Sequence, residues 1–325
     1  MYSRKFLLGI LHASTRNTET QEVMQNLMGV MAREEVLSLA EEEFLGVVLG
    51  ASVDATGKSM NMHEIKPLRR DLFRHLYPLY VRNRDGLLTL ADAYGDIPPA
   101  RRKQDTDFLE AEYRAWRTQM LAHQQSSAML QHVAAEVKKH LVDINAFAKR
   151  TKQGSRLHEA AVKEIVLHSK YVLHFVEAYY QELGATEQTI TFAGGKIVVD
   201  SYAYVHILFR HYSQGVKPYQ SGKSYHFDVD FDHTNLPSFL VDIIASYFRN
   251  LPNSIIRDDR ILVRVRGTLY AMWFRKMTRS LRGNEKEVYY RLQTFYPVTE
   301  QKDLSYASTL LETIADDGIG LIHKR

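Results

Sequence analysis

Thr189-Ile-Thr-Phe-Ala-Gly-Gly-Lys-Ile-Val-Val199 is the stretch that decides the fold. Two β-branched runs flank Ala193-Gly-Gly195, and glycines supply the backbone freedom that a tight hairpin needs. N-terminal to it, the residues before about 185 read as mostly helical, with apolar side chains at spacings of three and four from Asp107 onward. C-terminal to it, much of the chain alternates. The change of period predicts an α+β protein. A helical N-terminal half, 1–185, is followed by a largely antiparallel sheet with short helices, 186–325.

Working backwards, Ser155 to Leu183 reads as one helix. Leu157, Ala161, Ile165, Val172, Phe175, Val176 and Tyr179 mark its buried face, and Gly184 is its stop. An earlier helix is expected to start at Asp107, with Glu110 three positions on as in a capping box. Leu109, Tyr113, Trp116 and Met120 follow it. After a polar break at His123 to Ser127, the pattern resumes through Leu130, Val133, Val137, Leu141 and Ile144. Working forwards, Tyr204 to Tyr212 reads as a helix, Tyr225 to Phe231 as a strand, and Leu236 to Phe248 as a helix with Pro237 in its first turn. Ile261 to Trp273 and Val288 to Tyr296 are each expected as one strand, joined through Leu281-Arg-Gly-Asn-Glu285.

The bulk numbers bound the function. The 325 residues carry a net charge of +4, with 45% hydrophobic and 25% charged residues. This is ordinary for a globular protein and permits a nucleic-acid partner without demanding one. There is no cysteine, which excludes disulfides, thiolate zinc sites and thiol catalysis. The apolar run near Phe6 to Leu11 is short for a secretory signal, and no run approaches the roughly 20 apolar residues of a membrane span. The expectation is a cytoplasmic protein with no membrane partner.

Chemistry-bearing side chains concentrate in the second half. In the helix from Tyr204, the residues Val205, Leu208, Phe209 and Tyr212 make the apolar stripe. At about 100° per residue, His206 and His211 fall on opposite flanks of it and are not expected to share a site. His211, beside Arg210 at the helix end, has the better route to a cleft. In the strand from Leu262, alternation is expected to place Arg264, Arg266, Thr268 and Tyr270 on one polar face. Two guanidinium groups and two hydroxyls suit phosphate, though a solvated basic face reads the same way. Between Arg257 and Arg291 there are ten Lys/Arg against four Asp/Glu.

The hairpin, the helix with its Arg-His pair, the arginine strand and the closing Thr294-Phe-Tyr-Pro297 together resemble the barnase/EndoU/colicin/RelE-like group of ribonuclease toxins, particularly its phage-associated branches. The resemblance spans roughly residues 187–298. It implies a metal-independent endoribonuclease, a toxin or antiphage effector, with RNA as partner and no cofactor. It also implies roles for residues: His211 as the helix histidine, Arg264 or Arg266 as the phosphate-binding cation, and Thr294 and Tyr296 as terminal-strand hydroxyls. Arg210, Lys223, Thr268 and Tyr270 are carried as substrate contacts. The helical half is left to a protein inhibitor, another partner or a second copy.

Three other signals compete. Arg70-Asp-Leu-Phe-Arg-His75 resembles the arginine-histidine motif of helical HEPN ribonucleases, but also an ordinary basic helix face. Ser52-Val-Asp-Ala-Thr-Gly-Lys-Ser59 nearly spells a phosphate loop, with Ser52 where the first glycine belongs. His226, Asp228, Asp230 and Asp232, followed by His233, could hold a divalent cation or simply face solvent. Two further alternatives are a non-catalytic nucleic-acid-binding or regulatory protein using the same basic sheet, and a purely structural or phage-related interaction protein.

Overall fold

The computed structural model describes residues 2–13, 17–52, 56–58, 60–80, 97–122, 126–212, 236–252, 256, 259–280 and 285–324. The fold is α+β, with helices in the N-terminal half and a seven-stranded, mostly antiparallel sheet with short helices in the C-terminal half. Two compact units are drawn from interleaved stretches of chain. One takes the described residues up to 122 with 140–171; the other takes 126–139, 172–212 and 236–324.

The first unit begins with α1 (Arg4–Ala13), α2 (Thr18–Ala32) and α3 (Leu39–Ala51). Local chemistry sets their starts: Asn17 caps α2, and Ser38 with Glu41 forms a full capping box on α3. A 3₁₀ turn, Lys66–Asp71, leads into α4 (Leu72–Tyr80), and α5 spans Pro99–Leu121. That last helix starts eight positions before Asp107, with proline in its first turn, where the missing N–H costs nothing. Asp107 is therefore an exposed partner of Lys103 at 2.6 Å and not a cap. The long helices α6 (Ala128–Thr151) and α7 (Ser155–Leu183) each contribute to both units. Gly184, at φ +64°, ends α7 as expected, but Leu157 is 63% exposed and lies off its buried face.

Several buried polar groups inside the first unit are paired. Asp105 is fully buried; it accepts from Tyr80 Oη at 2.5 Å and lies 2.7 Å from His63 Nε2. Glu43 accepts from the Tyr171 hydroxyl, and Trp116 Nε1 donates to Ser169 Oγ at 2.6 Å. Such pairing offsets the desolvation of each group.

The second unit is built on the sheet. Strands β1 (Glu187–Phe192) and β2 (Gly195–Asp200) form the expected hairpin, with Phe192 opposite Gly195. Helix α8 (Ser201–Ile207) runs straight into a π turn, Leu208–Tyr212, where a plain α-helix was expected. Helix α9 spans Leu236–Asn250. The expected single strand at 261–273 is two strands. β3 (Arg260–Val265) and β4 (Thr268–Ser280) are joined by a two-residue turn in which Arg266 and Gly267 have φ +48° and +84°. β5 (Lys286–Pro297), α10 (Gln301–Ala307), β6 (Leu311–Ile314) and β7 (Gly320–His323) complete the chain. The strand order is β1-β2-β5-β4-β3-β7-β6, with β2 and β5 parallel. One sheet face packs Leu262, Leu269, Ala271 and Ile322 with Ala307 of α10. On the other, Phe239 and Phe248 of α9 meet Phe295 and Phe192.

Candidate active site

On α6, His132 and Glu136 lie one turn apart and so share a helix face. Glu136 is 7% exposed and holds two partners: His206 Nδ1 at 2.9 Å from Oε1, and Arg210 Nε at 3.0 Å from Oε2. A carboxylate on Nδ1 fixes the imidazole and leaves Nε2 for proton exchange. Arg210 is itself 3% exposed, so Glu136 neutralises a buried cation while it orients a half-buried histidine.

The ring of His206 stacks on Tyr202, one turn earlier on α8, with centroids 5.8 Å apart and planes 9° apart. The guanidinium of Arg291 on β5 lies 4.4 Å from the Tyr202 ring centroid. Arg291 is held on two further sides. Its Nη2 meets Asp200 Oδ2 at 2.7 Å and donates to His132 Nε2 at 3.2 Å. Because arginine can only donate, His132 Nε2 must accept, and its Nδ1 carries the proton to Ser201 Oγ at 3.0 Å. Burial, and then the charge of Arg291, hold the His132 pKa below its ordinary value, consistent with this neutral tautomer. Burial, and next the Glu136 charge, push the Tyr202 hydroxyl above its ordinary value, so it keeps its proton.

The π turn brings His211 under this group. Its i→i+5 winding places His206 and His211 on one side, with centroids 6.1 Å apart. The expectation that the two histidines diverge is corrected: it rested on α-helical rotation, which does not apply here. His211 stacks on Tyr296 at 5.0 Å and 19°, and Trp273 Nε1 donates to Tyr296 Oη at 2.8 Å. His211 is also 4% exposed, so the open route to solvent expected at the helix end is absent. Thr294 lies beside Trp273 across the β4–β5 pair, and its buried Oγ1 makes no hydrogen bond among the described residues.

The expected arginine stripe is also corrected. The β3–β4 turn folds it back on itself, and directly opposed residues share a face. Arg264 opposes Leu269, whereas Tyr270 opposes Val263 and is buried against Phe295 at 4.9 Å. Arg264 pairs with Glu312 at 3.1 Å on β6, and β4 separates its strand from that of Tyr296. Arg266 and Thr268 are exposed at the turn end. Of the expected set, then, Arg210, His211 and Tyr296 come together, with Thr294 on the strand beside them, and the β3–β4 residues do not join them. Lys223 and the 226–233 row lie outside the described residues. His132, Glu136, Asp200, Tyr202 and Arg291 were not foreseen.

His75 is 1% exposed, with Nδ1 3.1 Å from the Glu42 carbonyl, and burial pushes its pKa down to about 4. That imidazole is locked in the helical core, which disfavours a catalytic role; the Arg70 side chain lies outside those described. Ser52 ends α3 with its hydroxyl donating to the Val48 carbonyl at 2.7 Å, and 53–55 and 59 lie outside the described residues. Among the described residues no group of three His, Asp or Glu side chains is arranged to hold a metal, and no helix is long and apolar enough to cross a membrane. No family model, curated protein or solved structure matches this chain.

Proposed function

We propose that this protein is a metal-independent endoribonuclease whose centre is the His206–Glu136 pair beside Tyr202 and Arg291. The observation that carries the reading is the carboxylate-held, half-buried imidazole of His206, stacked on a phenol that in turn carries a guanidinium. His206 Nε2 takes the 2′-OH proton, and that oxygen attacks the adjacent phosphorus. Arg291 offsets charge on the nonbridging oxygens. Tyr202, kept protonated by burial, gives its proton to the leaving 5′ oxygen as the P–O5′ bond breaks. The products carry a 2′,3′-cyclic phosphate and a 5′-OH. His211, buried on Tyr296, positions the turn that carries Arg210 and His206's neighbours. A toxin or antiphage role follows from the class resemblance, and the helical unit is proposed to take an inhibitor or partner.

The test is cleavage of single-stranded RNA in EDTA. Wild type is expected to yield cyclic phosphate ends, and a single 2′-deoxy substitution at the scissile position should block it. His206→Ala should lower the rate about 10²–10⁴-fold with the fold intact. Cleavage that needs added divalent metal, or full activity in His206→Ala, defeats the reading. RNA binding without any cleavage would favour the nucleic-acid-binding alternative.

A further inference from the structure

Arg275 is exposed on β4 and stands directly opposite Arg291 on β5. Opposed residues of an antiparallel pair have Cβ atoms about 5 Å apart, and like charges there repel. Arg291 is answered by Asp200. Arg275 makes no ion pair among the described residues, yet its charge bears on the Tyr202 hydroxyl. The other exposed-face arginine of β4, Arg279, differs: it is clamped by Glu187 and Glu287 at 2.9 and 2.5 Å. One cation of the row is thus left facing solvent beside the proposed centre, on the same sheet face as Arg291.

We infer that Arg275 forms an anion subsite for the phosphate adjacent to the scissile one in a single RNA strand. The inference rests on the proposed cleavage site and extends it by one nucleotide. A strand whose scissile phosphate meets Arg291 would offer its neighbour to Arg275, and the added anion would relieve the arginine repulsion. The consequence is a preference for substrates with at least two phosphates.

Two measurements test this. The first compares kcat/KM for a trinucleoside diphosphate with that for a dinucleoside monophosphate. Arg275→Ala should lower that ratio about tenfold, the low end for a lost charge-assisted contact. Arg249→Ala, an exposed arginine on α9, serves as the net-charge control and should leave the ratio as in wild type. The second is binding of a short 2′-deoxy oligothymidylate, which cannot be cleaved by 2′-OH attack. Arg275→Ala should weaken it and reduce the log–log salt slope by about 0.7, one phosphate contact of a single strand. An unchanged ratio in an active enzyme, or an unchanged slope, overturns the subsite and leaves the cleavage reading standing. A reduced slope in a protein that never cleaves RNA shows that Arg275 binds a phosphate, but it defeats the cleavage reading and with it the assignment of that phosphate as the scissile one's neighbour. No oligonucleotide binding by wild type overturns the inference.

Discussion

Glu136 is the residue on which most of the candidate site turns. One carboxylate holds a half-buried histidine and a buried arginine, so its two roles can be separated by substitution. Glu136→Ala leaves the Arg210 guanidinium buried without that countercharge and is expected to cost about 3–5 kcal/mol in stability. His206→Ala removes the acid–base group from a partly exposed position and should leave most of that stability in place. Denaturant melts of the two variants alongside RNA cleavage distinguish them. Equal stability for Glu136→Ala and wild type would show that the carboxylate does not neutralise Arg210. His211 makes a different demand, because its ring packs flat on Tyr296.

At the scale of elements, α3 and α4 pack closely where Gly46 meets the backbone of His75. A Cβ on Gly46 would overlap the backbone carbonyl of His75, whereas one on Gly29 of α2 would meet only the Arg33 side-chain end at 3.6 Å. Gly46→Ala should therefore lose about 1–3 kcal/mol through overpacking, and Gly29→Ala should gain up to about 1 kcal/mol from helix propensity. Thermal unfolding of both reads this directly; a neutral Gly46→Ala would mean that the helices separate freely. Elements with a long apolar stripe and a clear stop were legible in the sequence, as α7 with Gly184 shows. The β3–β4 turn was not, because a left-handed arginine before Gly267 leaves the alternation looking unbroken. Nor was the π turn, since Val205, Leu208, Phe209 and Tyr212 fit α spacing equally well. β6 and β7 are four residues each, too short to show a period. The site was legible in part: His211 and Tyr296 do meet. Glu136 and His132 lie about seventy residues from their partners on a helix whose polar positions read as solvated. Arg275 opposite Arg291 could have been found by counting back from the turn expected at 281–285, had β4 been read as running on to Ser280.

At the scale of the whole molecule, the sheet-bearing unit draws residues from both long helices. Tyr179 donates to Gln188 at 2.6 Å and Tyr180 to the Val199 carbonyl at 3.3 Å, while Val172 and Val176 are fully buried. A fragment of residues 186–325 lacks these groups and also His132 and Glu136. It is expected to show no cooperative unfolding transition, since it exposes the β1–β2 surface that those side chains cover. Urea titration followed by near-ultraviolet circular dichroism tests this; a sharp transition in the fragment would show that the sheet holds together without α6 and α7.

The π turn also bears on how relatives of this chain should be aligned. His206 and His211 share a side because five residues close one turn there. A chain with one residue fewer between them would put the same two imidazoles four apart on a regular α-helix, again on one face. A single-residue gap at 207–210 therefore conserves the histidine pair, and a search that requires five-residue spacing would overlook chains that carry it.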